Sequence, residues 1–135
     1  MRTTLEERFW SKVQRSATCW LWTASRGGGG YGHIKVAGRM LKAHRVAYEL
    51  SRGLIPEGLV IDHLCRNRAC VNPEHLEPVT FRENIIRGVG YTAVQARKTH
   101  CNRGHEFTPE NTYRWRDSGA RACRACRRVT AREAT

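Results

Sequence analysis

No stretch of the 135-residue chain stays apolar for the roughly 18 residues a membrane-spanning helix requires, which excludes a helical integral membrane protein. The opening residues, Met1 to Trp10, lack the apolar segment of a signal peptide, so an intracellular protein with reduced thiols is expected. Internal repeats are absent as well. The four-glycine run Gly27 to Gly30 is not followed by Lys-Ser or Lys-Thr, which argues against a phosphate-cradling P-loop and leaves a flexible turn. Acidic residues are scarce: 12 Asp and Glu stand against 24 Lys and Arg, a net charge of +12. That surplus attracts polyanions in a salt-dependent way, so nucleic acid is the expected partner.

What remains is a small globular chain, 40% hydrophobic and 27% charged, with room for one modest domain and an appendage. A core of that size gains from metal clips. Positive charge is unevenly spread. Residues 91–135 hold ten Lys and Arg against four Asp and Glu, whereas residues 1–90 hold fourteen against eight, so the surplus is twice as dense in the tail.

Leu5, Phe9, Trp10 and Val13 recur at helical spacing behind Thr4, a possible N-cap, with Glu6 and Glu7 in the first turn. Cys19 to Thr23 alternates as a strand does. Residues 31–42 predict a hairpin turning at Ala37-Gly38, and Ala43 to Arg52 a helix stopped by Gly53. Leu59-Val60-Ile61 is a short apolar strand delivering Asp62 and His63, and His75 to Val79 is its antiparallel return. Thr80-Phe81-Arg82-Glu83 has the form of a capping box opening a helix through Asn84, Ile85 and Ile86 to Gly88. Strand, loop, strand and helix make a ββα unit at about 58–88, within a domain of residues 1–90. Residues 91–100 are expected to be a linker, followed by a basic module over 101–128. The fold class expected is α+β.

Six cysteines in a reducing compartment argue for metal rather than disulfides, and they fall into two sets. Cys65 and Cys70 bracket a four-residue turn, His75 lies five further on, and Cys19 is the remaining cysteine outside the tail. Together they predict a closed Cys3His zinc site, which is structural. Cys101-x3-His105 and Cys123-x2-Cys126 form a second such set. His100 is an alternative ligand to His105 there. The intervening Thr112 to Trp115 suits one strand of a hairpin turned by Asp117-Ser118-Gly119, so a zinc ribbon or knuckle is predicted. It would display Arg103, Arg114, Arg116, Arg121, Arg124, Arg127 and Arg128 to phosphates. A redox role for Cys123 and Cys126 lacks a surrounding βαβ pattern and leaves Cys101 and His105 unexplained.

A structural zinc does not need Asp62, His63 or Asn84. Phosphodiester hydrolysis does need such groups: a base to activate water, and a cation to neutralise charge on the phosphate and leaving oxygen. His63 is the candidate base, and Asp62 with Asn84 could hold one divalent ion. Adjacent strand residues point to opposite faces, so Asp62 and His63 can share a site only where the strand ends or twists. His44 reads as a packing histidine or a phosphate contact. Trp10, Trp20 and Trp22 read as core, and Trp115 as a base-stacking candidate.

Several segments together, Arg8 to Val13, Cys19 to Trp22, Ala43 to Glu49, Val60 to Asn67 and Cys70 to Thr80, resemble a phage-type HNH nuclease of the His-Me finger superfamily over nearly the whole chain. The resemblance implies a DNA endonuclease in which His63 is the general base and Asp62 and Asn84 bind one catalytic cation, usually Mg2+, with Mn2+ as substitute. The two structural Zn2+ expected from the Cys and His spacing stand beside that cation. The middle asparagine of the namesake pattern is matched by His75. A histidine there is similar to that of His-Cys box homing endonucleases, where it ligates structural zinc with cysteines spaced like Cys65 and Cys70. Those relatives steady the phosphate with an arginine from an earlier hairpin, for which His33, Lys35, Arg39 and Arg45 are the candidates here. Double-stranded DNA, a monomer or homodimer, and the cytoplasm of a bacterial host carrying a phage or mobile element are the implied setting. The other reading of the same residues is a zinc-dependent nucleic-acid-binding protein without turnover.

Overall fold

The computed structural model of the chain describes residues 2–133, and contacts divide it into two compact units, Met1–Gly88 and Val89–Thr135. In the first, α1 (Leu5–Trp10) begins with a capping box in which Thr4 accepts from the Glu7 amide and Glu7 reaches back. The helix is shorter than its apolar spacing suggests. Val13 leaves it to pair with Trp22, so β1 (Val13–Gln14) and β2 (Leu21–Trp22) form a two-stranded sheet. The long-range pairing outweighs one more helical turn. β3 (His33–Val36) and β4 (Arg39–Lys42) make the expected hairpin, with Ala37 and Gly38 at φ 47° and 81°, the positive values a tight two-residue turn demands.

α2 (Ala43–Arg52) follows without a break and buries Ala43, His44, Val46 and Ala47. β5 (Leu59–His63) and β6 (Leu76–Thr80) pair antiparallel with Asp62 opposite Glu77 and His63 opposite Leu76. A one-turn 3-10 helix, Pro73–His75, precedes β6. α3 (Phe81–Arg87) starts from the Thr80–Glu83 capping box. Phe9, Trp22, Ile34, Val46, Ile61 and Leu76 meet in the core, so both ends of the unit close on one apolar cluster. Phe9 and Trp22 are fully buried with rings 5.0 Å apart.

The second unit holds α4 (Tyr91–Arg97), β7 (Thr112–Arg114), β8 (Arg121–Cys123) and α5 (Arg124–Glu133). Residues 91–97 were expected as linker and are a helix instead. Ala93 is buried, and Arg121 donates to the carbonyls of Gln95, Ala96 and Lys98 at its C-terminal end. A cation there satisfies carbonyls that helix geometry leaves open. The predicted hairpin forms, but α5 runs on from it, so the module is a hairpin with a helix rather than a bare ribbon. Among the described residues, no helix is long and apolar enough to cross a membrane.

Candidate active site and metal clusters

Asp62 and His63 are the last two residues of the inner stretch of β5, and both are buried, at 2% and 6% exposure. The strand ends at His63, and the chain turns through Arg66, whose φ of 58° is a left-handed value. That turn sends the Arg66 side chain back to Asp62, where its Nη1 donates to Oδ1 at 2.6 Å. Asp62 Oδ2 is buried and accepts no hydrogen bond, with the Arg87 guanidinium 3.7 Å away. Arg87 is also paired with Glu77 across from Asp62 on β6. Asn84 lies three residues before Arg87 on α3, at the helical spacing that puts the two on one face.

The His63 ring is fixed by its Nε2, 3.0 Å from the Cys70 carbonyl oxygen. A carbonyl cannot donate, so Nε2 carries the proton and Nδ1 keeps the lone pair. Burial, the largest influence, lowers the His63 pKa, with Arg66 and Arg68 acting in the same direction against the Cys70 bond and the Asp62 charge. The imidazole is therefore neutral near pH 7 and able to accept a proton. His44 stands beside it, ring centroids 4.6 Å apart, with Tyr31 at 5.3 Å from His44 and 5.9 Å from His63. His44 Nδ1 is buried without a hydrogen-bond partner.

The four side chains singled out by spacing around the ββα unit, Cys19, Cys65, Cys70 and His75, have ligand atoms within 4.8 Å of one another. Cys19 and Cys70 sulfurs lie 3.7 and 3.5 Å from His75 Nδ1. In the tail, Cys101, His105, Cys123 and Cys126 converge likewise, with the Cys101, Cys123 and Cys126 sulfurs 3.5, 3.7 and 3.3 Å from His105 Nδ1 and 3.7 Å between the Cys101 and Cys126 sulfurs. A tetrahedral zinc with bonds of about 2.3 Å to sulfur and about 2.0 Å to nitrogen has edges of about 3.5 to 3.8 Å between its ligands. All six cysteines are unbridged. Both clusters could hold zinc. His100 takes no part in the second, its Nδ1 being 2.9 Å from the Thr99 hydroxyl. Burial pushes the metal-free Cys70 thiol up to about 12, so a cation must displace its proton to make the thiolate.

The Asp62 oxygen left without a donor fits a divalent cation, the hard ion that carboxylate and amide oxygens favour. In the tail, Arg114, Arg116, Arg124, Arg127 and Arg128 are exposed. Arg127 lies over Tyr113 and Trp115 at 4.2 and 5.0 Å, beside a cleft of about 260 Å³ lined by Tyr113, Arg124, Arg127 and Arg128. Arg121, expected among the phosphate contacts, is instead committed to three backbone carbonyls and lies over Phe107. Arg45 is half-buried in the first turn of α2. Sequence reasoning passed over Arg66, Arg87, Tyr31 and Arg68. The one signal available was their closeness in the chain to Asp62, Asn84 and the glycine run.

A family model described as HNH endonuclease matches residues 41–85, which include Asp62, His63, Asn84, Cys65, Cys70 and His75. The chain is 48% identical over 44 residues to the uncharacterized gene 5.3 protein of Enterobacteria phage T3, a match covering 33% of this chain and 44% of that one. It is 38% identical over 66 residues to protein 7.7 of Escherichia phage T7, covering 49% and 51%. To protein 2.8 of the same phage it is 32% identical over 110 residues, covering 79% and 70%. The chain thus spans about half the length of the first two relatives and more of the third. No solved structure matches it.

Proposed function

Since the chain belongs to the phage-type HNH endonuclease family, we propose that it is a metal-dependent endonuclease that hydrolyses phosphodiester bonds of double-stranded DNA. The observation that supports this most is the His63 ring, held by Cys70 O so that a neutral Nδ1 is left as the base next to a buried Asp62. In this reading Nδ1 takes a proton from the attacking water as oxygen adds to phosphorus, and the bond to the leaving sugar oxygen breaks. Asp62 and Asn84 would hold the divalent cation. When bound, it neutralises charge developing on the phosphate and leaving oxygen.

Arg66 occupies Asp62 Oδ1 and so leaves Oδ2 as the oxygen that would face the cation. The first zinc cluster sets the path of the loop that presents Cys70 O, so it acts on the base indirectly. The exposed arginines of the tail, with Arg45, contact the DNA backbone. One active site per chain favours nicking by a monomer.

The deciding experiment is conversion of supercoiled plasmid with Mg2+, run beside EDTA and beside His63→Ala. Cleavage by wild type alone, and only with Mg2+, is the expected result. A folded, zinc-loaded, DNA-binding protein that cleaves nothing would favour the binding-only reading.

A further inference from the structure

The ring of Tyr31 draws in two cations from different parts of the first unit. Lys42 Nζ, at the end of β4, lies 4.7 Å from its centroid, and the Arg68 guanidinium, from the metal-ligand loop, lies at 5.3 Å. The same ring is 5.9 Å from His63. Arg68 is tied down by one bond, Nη1 donating to Gly29 O at 3.0 Å, which leaves the rest of its donor fork unspent. A Cβ at Gly29 would lie 3.3 Å from the Tyr31 ring and 4.0 Å from Arg68 Nη1, so the glycine run makes room for this arrangement. Among the described residues, no carboxylate pairs with Lys42 or Arg68. Two cations held at one ring without a carboxylate counter-ion leave net positive charge beside His63, which attracts an anion.

The hairpin cations expected to steady the phosphate are placed less well. Arg39 pairs with Val36 next to the turn, and Lys35 with Met40, whereas Lys42 pairs with His33 at the end that runs into α2 and His44. Three residues of strand separate Arg39 from Lys42, about 10 Å. His33 packs beneath Gly27, where even a Cβ would meet its ring at 2.2 Å.

We infer that Lys42 and Arg68, both held at Tyr31, form the seat for the phosphate whose bond is broken, beside His63. This rests on the endonuclease reading. The cation at Asp62 and Asn84 would take one side of the phosphate, and the Tyr31 seat the other. Arg68 belongs to the loop that holds Cys65 and Cys70, so the first zinc cluster would place this contact as well as the base.

The test measures single-turnover plasmid cleavage with Mg2+ for Lys42→Gln, Arg68→Gln and Arg68→Lys, beside Lys35→Gln and Arg39→Gln, with Arg2→Gln as a charge-matched control. A second arm records the rise in melting temperature that inorganic phosphate gives without Mg2+, in wild type, His63→Ala and each variant. The expected result is a loss of at least tenfold in rate for each Gln variant, partial recovery in Arg68→Lys, unchanged zinc content, and loss of phosphate stabilisation that Arg2→Gln retains. Cleavage at the wild-type rate in both Gln variants overturns the seat while leaving the endonuclease reading intact. So does a collapse confined to Lys35→Gln or Arg39→Gln. If wild type itself does not cleave, the endonuclease reading fails, and the phosphate arm decides the seat: equal stabilisation in Lys42→Gln and Arg2→Gln overturns it. Should Arg68→Gln fail to fold for want of its bond to Gly29, Lys42→Gln and Arg68→Lys decide the matter.

Discussion

Two buried histidines in contact can both remain neutral only if burial outweighs every nearby carboxylate, and His44 shows the larger effect. Its pKa is held down to about 3, first by burial, then by His63, Lys42, Arg45 and His33. Below about pH 6.5 the unfolded chain takes up a proton there that the folded chain refuses until about pH 3. The stability this group contributes is therefore present above pH 6.5 and is lost as pH falls toward 3, with an upper bound of about 5 kcal/mol. His44→Phe keeps a ring against His63 and removes both the titration and the unpartnered Nδ1. Melts at pH 7.5 and pH 5 should show a smaller acid-induced drop for His44→Phe than for wild type, with equal or higher stability at pH 7.5. Identical drops would mean that another group controls the acid limb. At this scale, residue types were legible and contacts were not. The two sets of cysteines and histidines that converge were readable from their positions in the chain, with Cys19 assigned by elimination, whereas Asp62 and His63 stood out only beside the rest of the resemblance. The Cys70 carbonyl that orients His63 and the Arg66 that returns to Asp62 depend on the path of a loop with a left-handed residue, which spacing does not encode.

Among elements, α3 is short and exposed for the task it carries. It has seven residues and none is fully buried, so a solvent-exposed helix packed on β5 and β6 bears Asn84 and Arg87. Its capping box then matters more than usual. Thr80 accepts from the Glu83 amide at 3.1 Å, and Glu83 accepts from the Thr80 amide at 3.0 Å. Thr80→Ala should cost about 1 kcal/mol, a fall of about 4–8 °C in melting temperature for a unit of this size. The more telling measurement is the Mg2+ concentration for half-maximal cleavage, which should rise while zinc content stays constant, because Asn84 is loosened and the clusters are not touched. An unchanged Mg2+ requirement would separate α3 from cation binding. This box was legible because capping is local: four consecutive residues state it. The helix over Tyr91–Arg97 was not, because it is completed by Arg121, twenty-odd residues later, closing its carbonyls. Val13 left α1 for the same kind of reason, a partner, Trp22, that lies outside the local window.

For the whole molecule, two Cys3His clusters that could hold zinc, one in each unit, imply two separable losses. Cys70→Ser removes a ligand of the first cluster and disturbs the loop whose carbonyl holds His63, so zinc content should fall by about one per chain and cleavage should vanish along with the main melting transition. Cys126→Ser should release one zinc and leave the first unit folded, with DNA affinity reduced and the cleavage rate of bound DNA nearly intact. Salt dependence distinguishes gripping from chemistry more sharply than affinity does. Each phosphate contact made by an arginine contributes about 0.9 to the slope of log K against log salt concentration. Arg127 and Arg128 are exposed on α5, with Arg127 braced over Tyr113 and Trp115. Replacing both with Gln should lower that slope by about 1.8, whereas His63→Ala should leave the slope unchanged and abolish cleavage. Binding curves between about 50 and 200 mM salt would decide it. An unaltered slope in the double arginine variant would place the tail outside the DNA contact and leave the first unit to bind its substrate alone.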